Sequence, residues 1–183
     1  MKIIFLGTPG FAVPSLDILV RNGYEIPAVI TAPDKPAGRG QKLAESDVKK
    51  YAVSKGLNVL QPVKLGDADF LDTVKSLKAD LQIVVAFRMM PEKLWAMPPL
   101  GTFNLHGSLL PQYRGAAPIN RAVMNGEKFT GVTTFFLKQE IDTGNIVFRE
   151  RIDIGPDESA GELHDRMMVV GAELVLKTVK AIE

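Results

Sequence analysis

Short apolar runs alternate along the chain with stretches whose apolar residues recur at helical spacing. Lys2 to Leu6 is a compact apolar run closed by Gly7-Thr8-Pro9-Gly10, after which Phe11, Leu16, Leu19 and Val20 fall at helical intervals up to a stop at Asn22-Gly23. Ile26 to Ile30 is a second apolar run and completes a strand–helix–strand unit. That alternation predicts the α/β class, with a doubly wound, mostly parallel sheet and right-handed crossovers. The rhythm continues: Ser46 is placed to cap a helix through Val48, Tyr51, Ala52 and Lys55 that stops at Gly56, and Val59-Leu60 reads as a short strand. Asp67 to Lys78 is amphipathic, with Phe70, Leu71, Val74 and Leu77 on one face, and leads into the strand Leu81 to Ala86. Glu92 to Met97 is a short helical piece that Pro98-Pro99 breaks before the strand Thr102 to His106. A helix from Pro118 to Asn125, strands Gly131 to Leu137 and Ile146 to Ile152, and a long helix opened by the capping box Ser159-Ala160-Gly161-Glu162 complete the pattern. On that last helix Leu163, Met167, Val170, Leu174 and the stem of Lys177 share the buried side.

With 183 residues, 46% of them hydrophobic, and no repeat or linker, a single domain over residues 1–183 with one good core is expected. Lysine plus arginine number 22 against 21 acidic residues, so a net charge of +1 gives no general pull toward nucleic acid or an anionic membrane, and any basic patch must be local. The chain has no cysteine, which excludes disulfides, thiolate catalysis and a cysteine zinc site. The opening apolar run is too short for a signal peptide and no segment reaches the apolar length of a membrane span, so a cytoplasmic protein is the expectation.

Candidate chemistry gathers at the strand Thr102 to His106. Side chains alternate along a strand, so Asn104 and His106 point one way and Phe103 and Leu105 the other, at the carboxyl end where ligands meet parallel sheets. An Asn-x-His pair also occurs as a satisfied core pair. As a site, it suits acyl chemistry, with one group stabilising an oxyanion and another handling a proton. Ser108 lies next to His106 but lacks the Gly-x-Ser-x-Gly elbow of a nucleophile, and one histidine with one distant aspartate supplies too few ligands for a metal. The other histidine, His164, reads as a surface or half-buried residue away from the strand edges. Gly7-Thr8-Pro9-Gly10 falls short of the dinucleotide fingerprint, although Asp34 stands where nicotinamide-binding folds keep a ribose-binding acid. Phe87-Arg88-Met89-Met90-Pro91 fits either core packing or the wall of a pocket for a flat ligand, and Asp142-Thr143-Gly144 suits an Asx turn. Residues 32–42 form a Gly/Pro-rich basic segment that reads as an exposed loop, either a solvated connection or a set of phosphate contacts.

Asn104-Leu105-His106 followed by Ser108-Leu109-Leu110-Pro111-Gln112-Tyr113-Arg114-Gly115 resembles the signature of the folate-dependent formyltransferases. The resemblance implies a Rossmann-like formyltransferase fold and a catalytic trio of Asn104, His106 and Asp142 acting on 10-formyltetrahydrofolate without a metal. It further implies a folate site built from Ser108, Leu109, Leu110 and Pro111, with Phe87, Arg88, Met89, Met90, Leu137 and Ile141 in the loops that enclose the pterin. The opening Phe5-Leu6-Gly7-Thr8-Pro9-Gly10-Phe11, the loop Pro33 to Lys42 and the run Arg114 to Ile119 look most like the branch of the family that formylates methionyl-tRNA. By that likeness the acceptor is the amino group of the initiator methionyl-tRNA, for translation initiation, and Arg39, helped by Lys35 and Lys42, meets the acceptor end of the tRNA. A monomer is expected. Members of that branch carry a C-terminal tRNA-gripping domain that these residues lack, so weakened transfer to tRNA is expected as well. A sugar-nucleotide N-formyltransferase, a formylfolate hydrolase and a noncatalytic nucleotide-binding module remain the alternatives.

Overall fold

The computed structural model describes residues 1–37, 42–138, 142 and 144–183. Its first half runs β1 (Lys2–Gly7), a 3-10 turn (Gly10–Ala12), α1 (Val13–Arg21), β2 (Glu25–Ile30), β3 (Lys35–Ala37), β4 (Lys42–Ala44), α2 (Asp47–Ser54), β5 (Val59–Leu60) and α3 (Ala68–Ser76). The second half runs β6 (Leu81–Val85), α4 (Glu92–Trp95), β7 (Thr102–His106), α5 (Pro118–Met124), β8 (Phe129–Phe136), β9 (Ile146–Asp153) and α6 (Ala160–Ile182). The main sheet has seven strands in the order β5-β2-β1-β6-β7-β8-β9. Pairing is parallel from β5 to β7 and antiparallel from β7 through β9. This is the doubly wound, mostly parallel sheet that the apolar rhythm predicts.

The sheet divides the core in two. Ile3 and Phe5 of β1 belong to a cluster with Phe103, Leu105 and the α6 residues Leu163, Met167 and Val175. Ile4 and Leu6, facing the other way, join Ile30, Val74 and Leu94. Both faces of the central strands are covered, which is why those strands read as continuous apolar runs rather than alternating ones. The Ser159–Glu162 capping box forms and starts α6, whose axis then runs along the sheet. Gly171 lets the helix sit close, because a Cβ there would stand 2.7 Å from Leu105 Cδ2. Lys177 stays exposed, its ammonium 4.6 Å over the Phe148 ring, rather than laying its stem in the core. Among the described residues no helix is long and apolar enough to cross a membrane.

Residues 32–42, read from the sequence as a loop, carry a small hairpin at their ends. β3 pairs antiparallel with β4, Lys35 opposite Ala44 and Ala37 opposite Lys42. Strands of three residues are too short for a period-2 signal to register. The base of the hairpin is tied to α2: Lys49 Nζ donates to the Asp34 carboxylate just before β3 and to Glu45 Oε1, 2.8 Å away, just after β4. Gln61 Nε2 adds bonds to Asp34 Oδ1 at 2.7 Å and to the Ala32 carbonyl at 2.9 Å. Asp34 is therefore engaged by protein donors, which removes the ribose-binding role open to it from its position in the sequence.

This clamp has a pH signature. Its bond from Lys49, and then that from Gln61, holds the Asp34 carboxyl below its ordinary range, and the bond to Asp34 holds the Lys49 ammonium above its own. A depressed acid stabilises the fold above its unfolded pKa of about 4, and a raised base does so below its unfolded pKa of about 10.4. Lys49→Met is expected to lower the melting temperature most between those limits. The gap from the parent should close as pH falls through Asp34's folded value or rises through Lys49's. Melting curves across pH check this, and a gap that is constant from pH 2 to pH 11 would contradict it.

Candidate active site

β6 and β7 lie side by side and parallel, and their carboxyl ends open into a cavity of about 660 Å³. The parallel half of the sheet meets the antiparallel β8 beside β7, so β8 ends next to the start of β7, Phe136 opposite Phe103, and the turn that follows it brings Asp142 back to the cavity. Asn104 and His106, on one face of β7, both line the cavity, and so does Asp142 beyond β8. The three residues singled out by the resemblance are thus brought together.

His106 is 7% exposed, and among the described residues its ring has one hydrogen-bond partner. Nε2 lies 2.8 Å from the carbonyl oxygen of Tyr113. A carbonyl only accepts, so Nε2 carries the proton of that bond and Nδ1 is the ring nitrogen left to exchange one. Nδ1 faces Asp142 Oδ2 at 3.8 Å, too long for a direct hydrogen bond. The same Asp142 oxygen accepts from the Gly115 backbone N–H at 2.9 Å, and Arg114 Nε donates to the Asp142 carbonyl at 3.1 Å. Residues 113–115 therefore hold both His106 and Asp142.

The backbone is bent to make this possible. Ala86, Tyr113, Ala117 and Asp142 are four of the five non-glycine residues with positive φ among the described residues, at 47°, 54°, 53° and 52°. All four stand at the cavity or hold its histidine, as strained positions at functional sites do. Gly144 follows Asp142 closely because a Cβ there would lie 1.5 Å from the Phe136 carbonyl oxygen, so only glycine lets the chain fold back onto the end of β8.

The remaining predicted residues divide. Phe87, Arg88, Met89, Met90 and Leu137 line the cavity, with Met89 74% exposed at its mouth. Ser108, Leu109, Leu110 and Pro111 do not. Ser108 and Leu110 are buried under the loop, Ser108 Oγ donating to the Gln112 carbonyl at 2.5 Å. Thr133 Oγ1 on β8 accepts from the Leu110 N–H at 3.1 Å and donates to the Ser108 carbonyl at 2.7 Å. Ser108 and Leu110 thus brace the turn that carries Tyr113 rather than face the cavity. Lys35 is exposed on β3 and outside the cavity wall. Ile141 and Arg39 lie outside the described residues, as does the side chain of Lys42.

Sequence reading missed Trp95, the Pro9–Phe11 turn, residues 115–120 and His164, all of which line the cavity. His164, placed from the sequence away from the strand edges, reaches the cavity because α6 begins over the carboxyl edge of the sheet. There its ring packs 5.3 Å from that of Phe11. The turn after β1 was recoverable, since loops at the carboxyl ends of parallel strands converge on one crevice. Among the described residues no group of three or more histidine, aspartate or glutamate side chains is placed to hold a metal ion.

A Rossmann-like sheet with an Asn, His and Asp gathered over its carboxyl edge defines the class, and the chain belongs to the formyl transferase family, whose model matches residues 1–179. Within it, the chain is 58% identical over 183 residues to the methionyl-tRNA formyltransferase of Flavobacterium johnsoniae, covering 100% of this chain and 58% of that protein. It is 57% identical over 182 residues to the methionyl-tRNA formyltransferase of Bacteroides thetaiotaomicron, covering 100% of this chain and 56% of that one. The chain thus spans a little over half the length of these relatives. Among solved structures, phosphoribosylglycinamide formyltransferase from Streptococcus pneumoniae superposes with a TM-score of 0.82 at 18% identity, covering 100% of this chain and 99% of the other. A sugar 3N-formyl transferase, solved in the presence of dTDP and 5-N-formyl-THF, gives 0.72 at 22% identity, covering 100% of this chain and 62% of the other. Those two likenesses establish the fold.

Thr133→Val keeps the side-chain volume but leaves the buried Leu110 N–H and Ser108 carbonyl without a partner. Such a loss costs roughly 1–3 kcal/mol. Thermal unfolding should show a drop of several degrees, and an unchanged midpoint would mean that Thr133 does not brace the loop.

Proposed function

We propose that this chain carries the transfer site of an enzyme that moves a formyl group from 10-formyltetrahydrofolate to the amino group of initiator methionyl-tRNA, for translation initiation in the cytoplasm. The choice of acceptor rests on one observation, the 58% identity that runs the whole length of the chain to a methionyl-tRNA formyltransferase. The chemistry is supported by the convergence of Asn104, His106 and Asp142 on one cavity. The donor's fit rests on the cavity wall: Val84, Phe87, Met90, Trp95 and Leu137 offer apolar surface suited to a flat heteroaromatic ring, with the polar trio at its end.

In the reaction, the acceptor nitrogen bonds to the formyl carbon, the bond from that carbon to the donor nitrogen breaks, and one proton passes from the attacking to the departing nitrogen. Asn104 is placed to donate its amide N–H to the formyl oxygen as that oxygen gains negative charge. His106, held through Nε2, presents Nδ1–H to the same oxygen. Asp142, across the 3.8 Å gap, takes the proton of the amine and returns it to the leaving nitrogen. No protein nucleophile is required. Arg39, with Lys35 and Lys42 on the hairpin, is assigned to the phosphates at the acceptor end of the tRNA, and the enzyme works as a monomer. This assignment rests on the resemblance of the basic loop to the methionyl-tRNA branch.

Transfer from 10-formyltetrahydrofolate to methionyl-tRNA, glycinamide ribonucleotide and a nucleotide-linked amino sugar, run side by side, tests the reading. Product is expected on the tRNA alone, and product on the sugar would overturn the choice of acceptor. In the same assay His106→Ala should abolish transfer while a nonreactive formylfolate still binds; retained transfer would sink the mechanism.

A further inference from the structure

We infer that Tyr113 and Glu127 are positioning residues, the anchor that keeps the 113–115 strap closed over His106 and Asp142. The inference rests on the reading of His106 and Asp142 as the reacting pair. Tyr113 bonds the histidine through its backbone carbonyl, 2.8 Å from Nε2, while its side chain points the other way. The phenol O–H donates to Glu127 Oε1 at 2.6 Å and accepts from Asn125 Nδ2 at 2.9 Å. Both partners follow the last turn of α5 and neither lines the cavity, so the strap is pinned from outside the cavity wall.

The pin has work to do because the strap is conformationally costly. Tyr113 has φ 54° and Ala117 φ 53°, a region that bulky side chains leave when nothing holds them. If Tyr113 relaxed toward ordinary φ, its carbonyl would swing from Nε2. The Gly115 N–H, two residues on, would move from Asp142 Oδ2 with it. A single segment therefore sets the orientation of the imidazole and the position of the carboxylate, and the phenol sets the segment. The bond to Glu127 also holds the Tyr113 phenol above its ordinary pKa, so it remains a protonated donor. Glu127 is exposed and Tyr113 half-buried, so removing their bond leaves the core untouched.

Two variants separate positioning from folding. Tyr113→Phe removes the hydroxyl and keeps the ring; Glu127→Ala removes the acceptor from the other side. Each is expected to lower kcat about five- to tenfold, the size of one lost hydrogen bond, with the KM for the formyl donor unchanged. Glu127→Gln keeps an acceptor oxygen and should restore most of the rate. The decisive readout needs no substrate: the His106 Nε2–H proton, followed by NMR in the protein alone. In the parent and in Glu127→Gln it is expected to exchange slowly with water, and in Tyr113→Phe and Glu127→Ala appreciably faster. Unchanged exchange in Tyr113→Phe overturns the inference whatever happens to the rate, and so does a Glu127→Gln variant as impaired as Glu127→Ala. If exchange accelerates as expected but His106→Gln still transfers formyl, the anchor stands and the catalytic reading of His106 fails.

Discussion

The site depends on a bond between a backbone carbonyl and a side-chain ring. A histidine has two nitrogens and two neutral forms, and its use in proton chemistry is decided by which nitrogen is already committed. Here the Tyr113 carbonyl engages Nε2 and so leaves Nδ1 facing Asp142. Everything around that bond serves to keep it: the Thr133 hydroxyl bracing Ser108 and Leu110, the positive φ at Tyr113, and the Gly115 N–H joining the same strap to Asp142. β7 alone could present Asn104 and His106 to the cavity. It could not choose the nitrogen.

The sheet explains why the parts meet where they do. Parallel strands bring their carboxyl ends to one edge, and although antiparallel β8 ends beside the start of β7, the turn after it returns Asp142 to the cavity at that edge. Gly144 makes this return possible by lying against the Phe136 carbonyl. The strained residues concentrate at this edge, where the two clusters on either side of the sheet supply the packing that sustains them.

Most of the fold was legible in the sequence. The apolar runs, the Ser46 and Ser159 caps and the glycine stops place nearly every helix and main-sheet strand within two or three residues, because those signals are local. Strand order and the antiparallel edge were not legible, since they depend on contacts between distant segments. The β3–β4 hairpin escaped because its strands are too short to show a period. At the site, Asn104, His106 and Asp142 could be picked out by motif; of Ser108–Pro111, to which the motif also pointed, none lines the cavity, and Ser108 and Leu110 are bonded within the loop. His164 and Phe11 carry no local mark of a cavity wall. They become neighbours only when α6 and the turn after β1 come together over the sheet.

His106 and Asp142 face each other at 3.8 Å, and the proposed transfer uses them as one unit. A double-mutant cycle on the single-turnover rate of formyl transfer tests this most directly, using His106→Gln, Asp142→Asn and the two combined. If the pair is one unit, the double variant loses no more than the worse single one, because the first substitution already disables the partner. Losses that multiply would show two independent contributions, and would contradict the arrangement described.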